Sequence, residues 1–256
     1  MKYKFIIVLF SVFGCINNDV DLEGNLSKRF TKAISFFENE KFNRAKDEFD
    51  FIIMSDPGSK IANESQFYMA ESHFYLEEYS ESSTIFDRYV RFSTDISKIE
   101  TARYRICQCA VNSSNSFQRD QSDTKYALDQ LQMFIEDFPK SKYIKDAEND
   151  ISLLRNKLAQ KDYEVGRMYV KLEEYEAAII YFQSVLNSYY DTKFSDEARL
   201  GIIFTHILNG NRGGSKNYLK SQKGKFISEN KYNEAQMLIK DTEDGLKLTH
   251  YYQLYK

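Results

Sequence analysis

Proline occurs twice and glycine ten times in 256 residues, so little in the chain interrupts a helix. Cysteine occurs three times and histidine three times. Cys107 and Cys109 stand two apart on an expected helix, where their side chains diverge, so they read as small buried hydrophobes rather than a pair. His73, His206 and His250 are scattered, with no His or Cys at ligand spacing, which leaves no expected metal site. The chain has no Gly-rich phosphate loop, no HExxH and no strand-turn-helix nucleophile elbow. These absences argue against an enzyme, and no cofactor is expected. With 35 basic against 38 acidic residues and a net charge of -3, there is no electrostatic reason to bind nucleic acid.

Long apolar runs are also scarce. One stands at the amino terminus, Phe5 to Phe13, preceded by Lys2 and Lys4. It is too short to span a bilayer and has the layout of an export signal. It ends at Val12-Phe13-Gly14-Cys15, a relaxed form of the site at which a lipoprotein signal is cut before an acylated cysteine. Residues 1–14 therefore read as a lipoprotein signal peptide and Cys15 as the lipid attachment point. The alternative is an ordinary secretory signal with a chance cysteine. The polar stretch 15–26 reads as a flexible tether.

What the chain has in abundance is aromatic residues, 19 Tyr and 20 Phe. Some recur at fixed spacing. Phe42-x-x-Ala45-x-x-x-Phe49 returns thirty-seven residues later as Tyr79-x-x-Ser82-x-x-x-Phe86, then as Ala127-x-x-x-Leu131 and as Tyr175-x-x-Ala178-x-x-x-Phe182. A small residue lets two helices approach, and the aromatic one turn on fills the space between pairs. The expected fold is all-α, a right-handed superhelix of about five tetratricopeptide-type helix-turn-helix repeats. Ala33, Ala45, Phe49, Ala70, Phe86, Ala127, Gly166, Ala178 and Phe182 are its expected packing positions.

The first repeat is expected to begin near Ser27, and Pro57-Gly58 to stop its second helix. The second repeat is expected over 62–76 and 79–92, the third over 99–112 and 125–138 with a polar inserted loop at 112–124. Residues 143–171 read as one long helix or two bent near Gln160-Lys161, and 175–189 as the helix after it. The fifth repeat is eroded: a helix over 195–208, a break at Gly210–Gly214, and a weak helix over 216–221. Residues 223–256 read as a polar tail with a helix over 231–241. Arg155, Lys157, Lys161 and Arg167 interleave with acids along the long helix and read as a solvated face, or else as a docking one.

Aligning Ala33 with Ala70 also aligns Phe30 with Phe67 and Phe37 with Phe74. These four would present aromatic rings to a groove that suits a short peptide with hydrophobic side chains of its own. The alternative is that some of the rings face neighbouring helices.

The run Leu128-x-x-Leu131-x-x-Phe134-Ile135-x-x-Phe138-Pro139-x-Ser141-x-Tyr143-x-x-Asp146-Ala147 is followed by Leu154-Arg155-x-Lys157-Leu158-Ala159. Then come Tyr163-x-x-Gly166-Arg167-x-Tyr169 and Tyr175-x-Ala177-Ala178, closed by Asp191-Thr192. Together these resemble the BamD family, tetratricopeptide lipoproteins of the outer-membrane β-barrel assembly machinery. The resemblance covers roughly 27–210. It implies a non-enzymatic, lipid-anchored subunit on the periplasmic face of the outer membrane. It implies that the first repeats (27–125) bind the carboxy-terminal signal of unfolded outer-membrane proteins. It further implies that the later ones (126–222) dock on the POTRA domains of a BamA-like barrel protein, through a surface from Tyr169 to His206 that includes Tyr181 and Arg199. Tyr181 stands where relatives carry a basic docking residue, and Tyr190 where a proline is usual. The alternatives are another periplasmic repeat lipoprotein that coordinates envelope machinery, or a surface-exposed binding lipoprotein.

Overall fold

The computed structural model describes residues 19–243, with side chains from residue 24 onward. Among them are eleven α-helices and no strand. They are α1 (Asp19–Glu38), α2 (Phe42–Ser55), α3 (Lys60–Tyr75), α4 (Tyr79–Phe92), α5 (Ile96–Ser113), α6 (Ser122–Asp137), α7 (Ile144–Lys171), α8 (Tyr175–Ser188), α9 (Phe194–Leu208), α10 (Arg212–Ser221) and α11 (Glu229–Glu243). The all-α repeat fold expected from the sequence is the fold observed. The chain divides into two compact units at Ser93–Thr94, the first holding α1–α4 and the second α5–α11. This is not the division at 125–126 expected from the sequence, because α5 packs on α6 and α7.

In four hairpins an aromatic pair at an equivalent position clasps the two helices. Phe30 meets Phe49 at 5.8 Å between ring centroids, Phe67 meets Phe86 at 5.7 Å, and Tyr163 meets Phe182 at 5.6 Å. All three pairs are nineteen residues apart in sequence. Tyr104 and Phe134 form the same clasp at 5.4 Å, thirty residues apart because of the inserted loop. Ala33, Ala45, Ala70, Ala127 and Ala178 are wholly buried beside these rings, as are Phe49, Phe86 and Phe182. Gly166 is buried too.

The turns repeat as closely as the clasps. Glu40, Glu77 and Glu173 have φ of 57°, 61° and 61°, and Gly210 has 72°. Each follows the first helix of a hairpin. The following amide reaches back five residues, as in Lys41 N–H to Phe36 O (2.8 Å) and Glu78 N–H to His73 O (2.9 Å). That is a Schellman cap, which satisfies the last carbonyls of one helix and reverses the chain into the next. Left-handed backbone is unfavourable for Glu, so tertiary packing holds these turns.

Several boundaries differ from the sequence reading. Residues 15–18 of the expected tether lie outside the described residues, as do 1–14, but from Asp19 onward the chain is already helix. The stretch 144–171 is one continuous helix. Its first half buries Ala147 and Leu154 with the α5–α6 core, and its second half buries Tyr163 and Val170 with α8 and α9. Gly213 and Gly214 belong to the first turn of α10, where Asn211 accepts from Gly214 N–H at 2.8 Å. The expected tail is not simply polar: α11 packs on α9 and buries Ala235, Leu238 and Ile239.

Candidate peptide-binding surfaces

In the first unit the aromatic residues form one connected array. Phe37 of α1 meets Phe42 of α2 (5.5 Å), Tyr68 (5.5 Å) and Tyr75 (5.9 Å) of α3. Phe42 stacks on Tyr75 at 4.9 Å, with the ring planes 12° apart. Phe30 reaches Tyr68 at 6.1 Å, and Tyr68 stacks on Phe49 at 5.8 Å. Rings at these distances support one another by about 0.5–1.5 kcal/mol per pair beyond their burial. Tyr75 remains 48% exposed, whereas Phe30, Phe37, Phe42 and Tyr68 are half-buried. The result is a firm aromatic surface open on one side.

Of the four rings aligned in the sequence, Phe30 and Phe37 belong to this array, and the α3 rings that meet them are Tyr68 and Tyr75. Phe67 is buried against Phe86 and Tyr89 of α4, so it fills its own hairpin rather than lining an open face. Phe74 is half-buried and meets Tyr75 and Tyr79. The reason lies in helix phase. Phe30 and Phe67 occupy equivalent positions, and equivalent positions face their own second helix. The residue that faces the preceding hairpin is the next one along, rotated by about 100°. Tyr68 and Tyr75 therefore meet Phe30 and Phe37. The pairing of Phe37 with Phe42 was visible as a spacing of five residues that recurs in Phe74 and Tyr79 (5.7 Å).

Charges frame the array. Glu48 accepts from Lys32 Nζ (2.7 Å) and Arg29 Nε (2.5 Å), and Lys32 first, then Arg29, holds its carboxyl below the ordinary range against the opposing effect of burial. The Arg29 guanidinium lies 3.6 Å from the centroid of the Phe51 ring. Lys46 donates to Glu78 at 2.8 Å and lowers its pKa. Burial lowers that of His73.

In the second unit Tyr169 stacks on Tyr181 at 5.4 Å, with planes 16° apart. Met168 of α7, Ile180 of α8 and Leu172 in the turn between them are exposed. Arg199 is placed elsewhere. It is buried, donates to Asp196 Oδ1 at 3.0 Å, and its guanidinium carbon lies 5.7 Å from the centre of the Phe226 ring. Its charge is paired within α9, and its guanidinium lies beside the carboxy-terminal segment rather than open to solvent. His206 is half-buried beside Tyr218, at 6.4 Å, and burial lowers its pKa. The structure thus joins Tyr169 to Tyr181 and turns Arg199 and His206 toward the last helices.

Among the described residues no group of His, Cys, Asp and Glu could hold a metal ion, and no helix is long and apolar enough to cross a membrane. Cys107 and Cys109 are buried, and neither is in a disulfide among the described residues. Cys107 Sγ donates to Gln130 O at 3.3 Å, and burial pushes its thiol up to about 12.

A family model described as YfiO, outer membrane lipoprotein, matches residues 23–210. The outer membrane protein assembly factor BamD of Rickettsia prowazekii is 25% identical over 224 residues, 88% of this chain and 89% of that protein. The protein of the same name from Caulobacter vibrioides is 24% identical over 247 residues, 94% and 80% of the two chains. Among solved structures, MamA from Desulfovibrio magneticus RS-1 aligns with 13% identity over 77% of this chain and 92% of its own, at a TM-score of 0.36. YrrB, a TPR protein with an unusual peptide-binding site, aligns with 14% identity over 88% and 100%, at 0.35. With the family model spanning most of its hairpins, the chain belongs to the YfiO/BamD family of outer membrane lipoproteins.

Proposed function

We propose that this chain is a non-enzymatic subunit of the machinery that assembles β-barrel proteins in the outer membrane, held by lipid on Cys15 at the periplasmic face. The aromatic surface of α1–α3 receives the carboxy-terminal signal strand of an unfolded client. The surface around Tyr169 and Tyr181 docks on the POTRA domains of a BamA-like barrel protein. Membership of the family supports the role. The observation that carries the client site is the connected set Phe37, Phe42, Tyr68 and Tyr75, whose rings brace one another while leaving Tyr75 half in solvent.

A client's terminal strand has side chains alternating to two faces. Aromatic side chains on one face lie across such a surface, while the other face stays in water. Because the receiving rings are already fixed by their neighbours, little side-chain entropy is lost on binding. The chain needs only to hold and release its client, which calls for no cofactor and no catalytic group.

The test is a titration of the full chain with a ten-residue peptide that ends in alternating aromatic residues and a free carboxylate. Phe37→Ala combined with Tyr75→Ala is expected to weaken binding by roughly tenfold or more, the loss of one or two central anchors. Unchanged affinity in a variant that keeps its helical circular dichroism contradicts the assignment.

A further inference from the structure

A second groove lies wholly within the other unit. One face of α7, from Asn149 to Gln160, forms its floor, with Leu153, Asn156 and Lys157 along the middle. The α5–α6 loop walls one side through Ser116–Gln118, and Lys193 and Phe194 at the start of α9 wall the other. The groove has a volume of about 740 Å³. Eleven residue steps along a helix span roughly 16 Å, the length of about five residues of extended chain.

Two properties set this groove apart from an ordinary crease between helices. The first is its charge. Its lining includes Lys157 and Lys193 and not one acidic side chain, in a chain whose net charge is -3. The Lys157 ammonium is part-buried and donates to Ser114 Oγ (2.6 Å) and Ser114 O (3.4 Å), both neutral acceptors. Burial lowers its pKa, and no carboxylate contributes to offset that. Lys193 extends near the Phe194 ring, 5.2 Å from its centroid, and its backbone N–H donates to Asn156 Oδ1 at 3.3 Å.

The second property is rigidity. The loop wall is folded and fastened to the floor. The buried Gln121 amide nitrogen lies within hydrogen-bond distance of the carbonyls of Ser116 (2.8 Å), Arg119 (3.0 Å) and Asp120 (3.2 Å). Lys161 Nζ donates to Arg119 O at 2.6 Å, so α7 ties the loop down at Lys157 and again one turn later. A wall built in advance costs little to order when a ligand arrives. Leu153 lies 55% exposed on the floor between the two walls, an apolar foothold that no described side chain covers.

We propose that this groove is a second peptide site, which takes an extended acidic segment of a partner protein, its carboxylates on Lys157 and Lys193 and an apolar side chain on Leu153. Charge complementarity selects the occupant: carboxylates would supply the anionic partner that the two ammonium groups lack among the described residues, and the apolar floor separates an acidic peptide from a free anion. The site is independent of the client surface on α1–α3 and of the assembly role assigned through it.

The test is fluorescence anisotropy of the full chain with a labelled Asp-Leu-Glu-Phe-Asp peptide and with its neutral counterpart Asn-Leu-Gln-Phe-Asn. The acidic peptide is expected to bind at least ~10-fold more tightly, with the preference shrinking as salt rises. Lys193→Glu should abolish the preference, and Leu153→Ser should weaken both peptides. Both side chains are exposed, so both variants should keep their helical circular dichroism. Phe37→Ala with Tyr75→Ala should leave this binding unchanged, which separates it from the client site. Equal affinity for the two peptides, a preference that survives Lys193→Glu, or no binding of the acidic peptide at millimolar concentration would overturn the proposal. Displacement of the peptide by vesicles of anionic phospholipid would also overturn it, reassigning the groove to lipid headgroups.

Discussion

Replacing Phe182 by Ala is expected to destabilise the second unit by about 3–5 kcal/mol, a large share of the roughly 5–15 kcal/mol that holds a domain together. Phe182 is wholly buried and stands between two glycines on different helices. A Cβ on Gly166 of α7 would lie 2.7 Å from its ring, and so would a Cβ on Gly201 of α9. The ring is thus the spacer that sets how closely α7, α8 and α9 approach. Removing it leaves a cavity walled on two sides by glycine backbone, which has no side chain to fold in. The reverse change is also costly. Gly201→Ala or Gly166→Ala would push against a ring that has nowhere to go, at about 1–3 kcal/mol. Because both changes act on the same space, Phe182→Ala combined with Gly201→Ala should cost less than the sum of the two. Urea denaturation of the four proteins measures this directly. Additive effects would mean that the ring and the glycines are not in contact.

Asp196→Ala is expected to cost a similar amount, about 3–5 kcal/mol, and to release α11. Asp196 is buried in the first turn of α9, where it receives Arg199 Nη1 (3.0 Å). It also accepts from the backbone N–H groups of Ile227 (3.0 Å) and Ser228 (2.8 Å), thirty-one and thirty-two residues on. One carboxylate therefore neutralises a buried guanidinium and fixes the chain entering α11. Without it Arg199 becomes an uncompensated buried charge and two amides lose their acceptor. The apolar side chains of α11, Ala235, Leu238 and Ile239, should then leave the surface of α9. Hydrogen exchange reads this as lost protection in α11, with α1–α4 unaffected. Protection of α11 that survives the substitution would show that apolar contact alone holds the helix.

The hairpins were legible because they depend on spacing. Ala45 with Phe49 and Ala178 with Phe182 sit four apart, and the clasping rings of three hairpins sit nineteen apart, so these repeats announce themselves in one dimension. The aromatic surface of α1–α3 was only half legible. Equivalence between repeats aligned Phe30 with Phe67, but equivalent residues do not touch, and contact between hairpins falls to Tyr68 and Tyr75. The resemblance put Arg199 on a docking surface near the end of the repeats. Its true partner, Asp196, stands one turn before it on the same helix, and nothing local says that this acid also binds backbone thirty residues away. The apolar stripe of α11 (235, 238, 239) has helical spacing, yet its polar neighbours hid it. The folded 114–121 loop rests on hydrogen bonds from Gln121 to main-chain carbonyls, which leave no mark in composition.

Cross-linking in living cells from a photoreactive residue in place of Tyr75 tests the client surface most directly, since that ring is both part of the array and open to solvent. Newly exported outer-membrane proteins should be captured from position 75 through their terminal strands, and should not be captured from an exposed position outside the array such as Met54. Equal capture from both positions, or none from position 75 while clients accumulate, would contradict a polypeptide-holding role for this face.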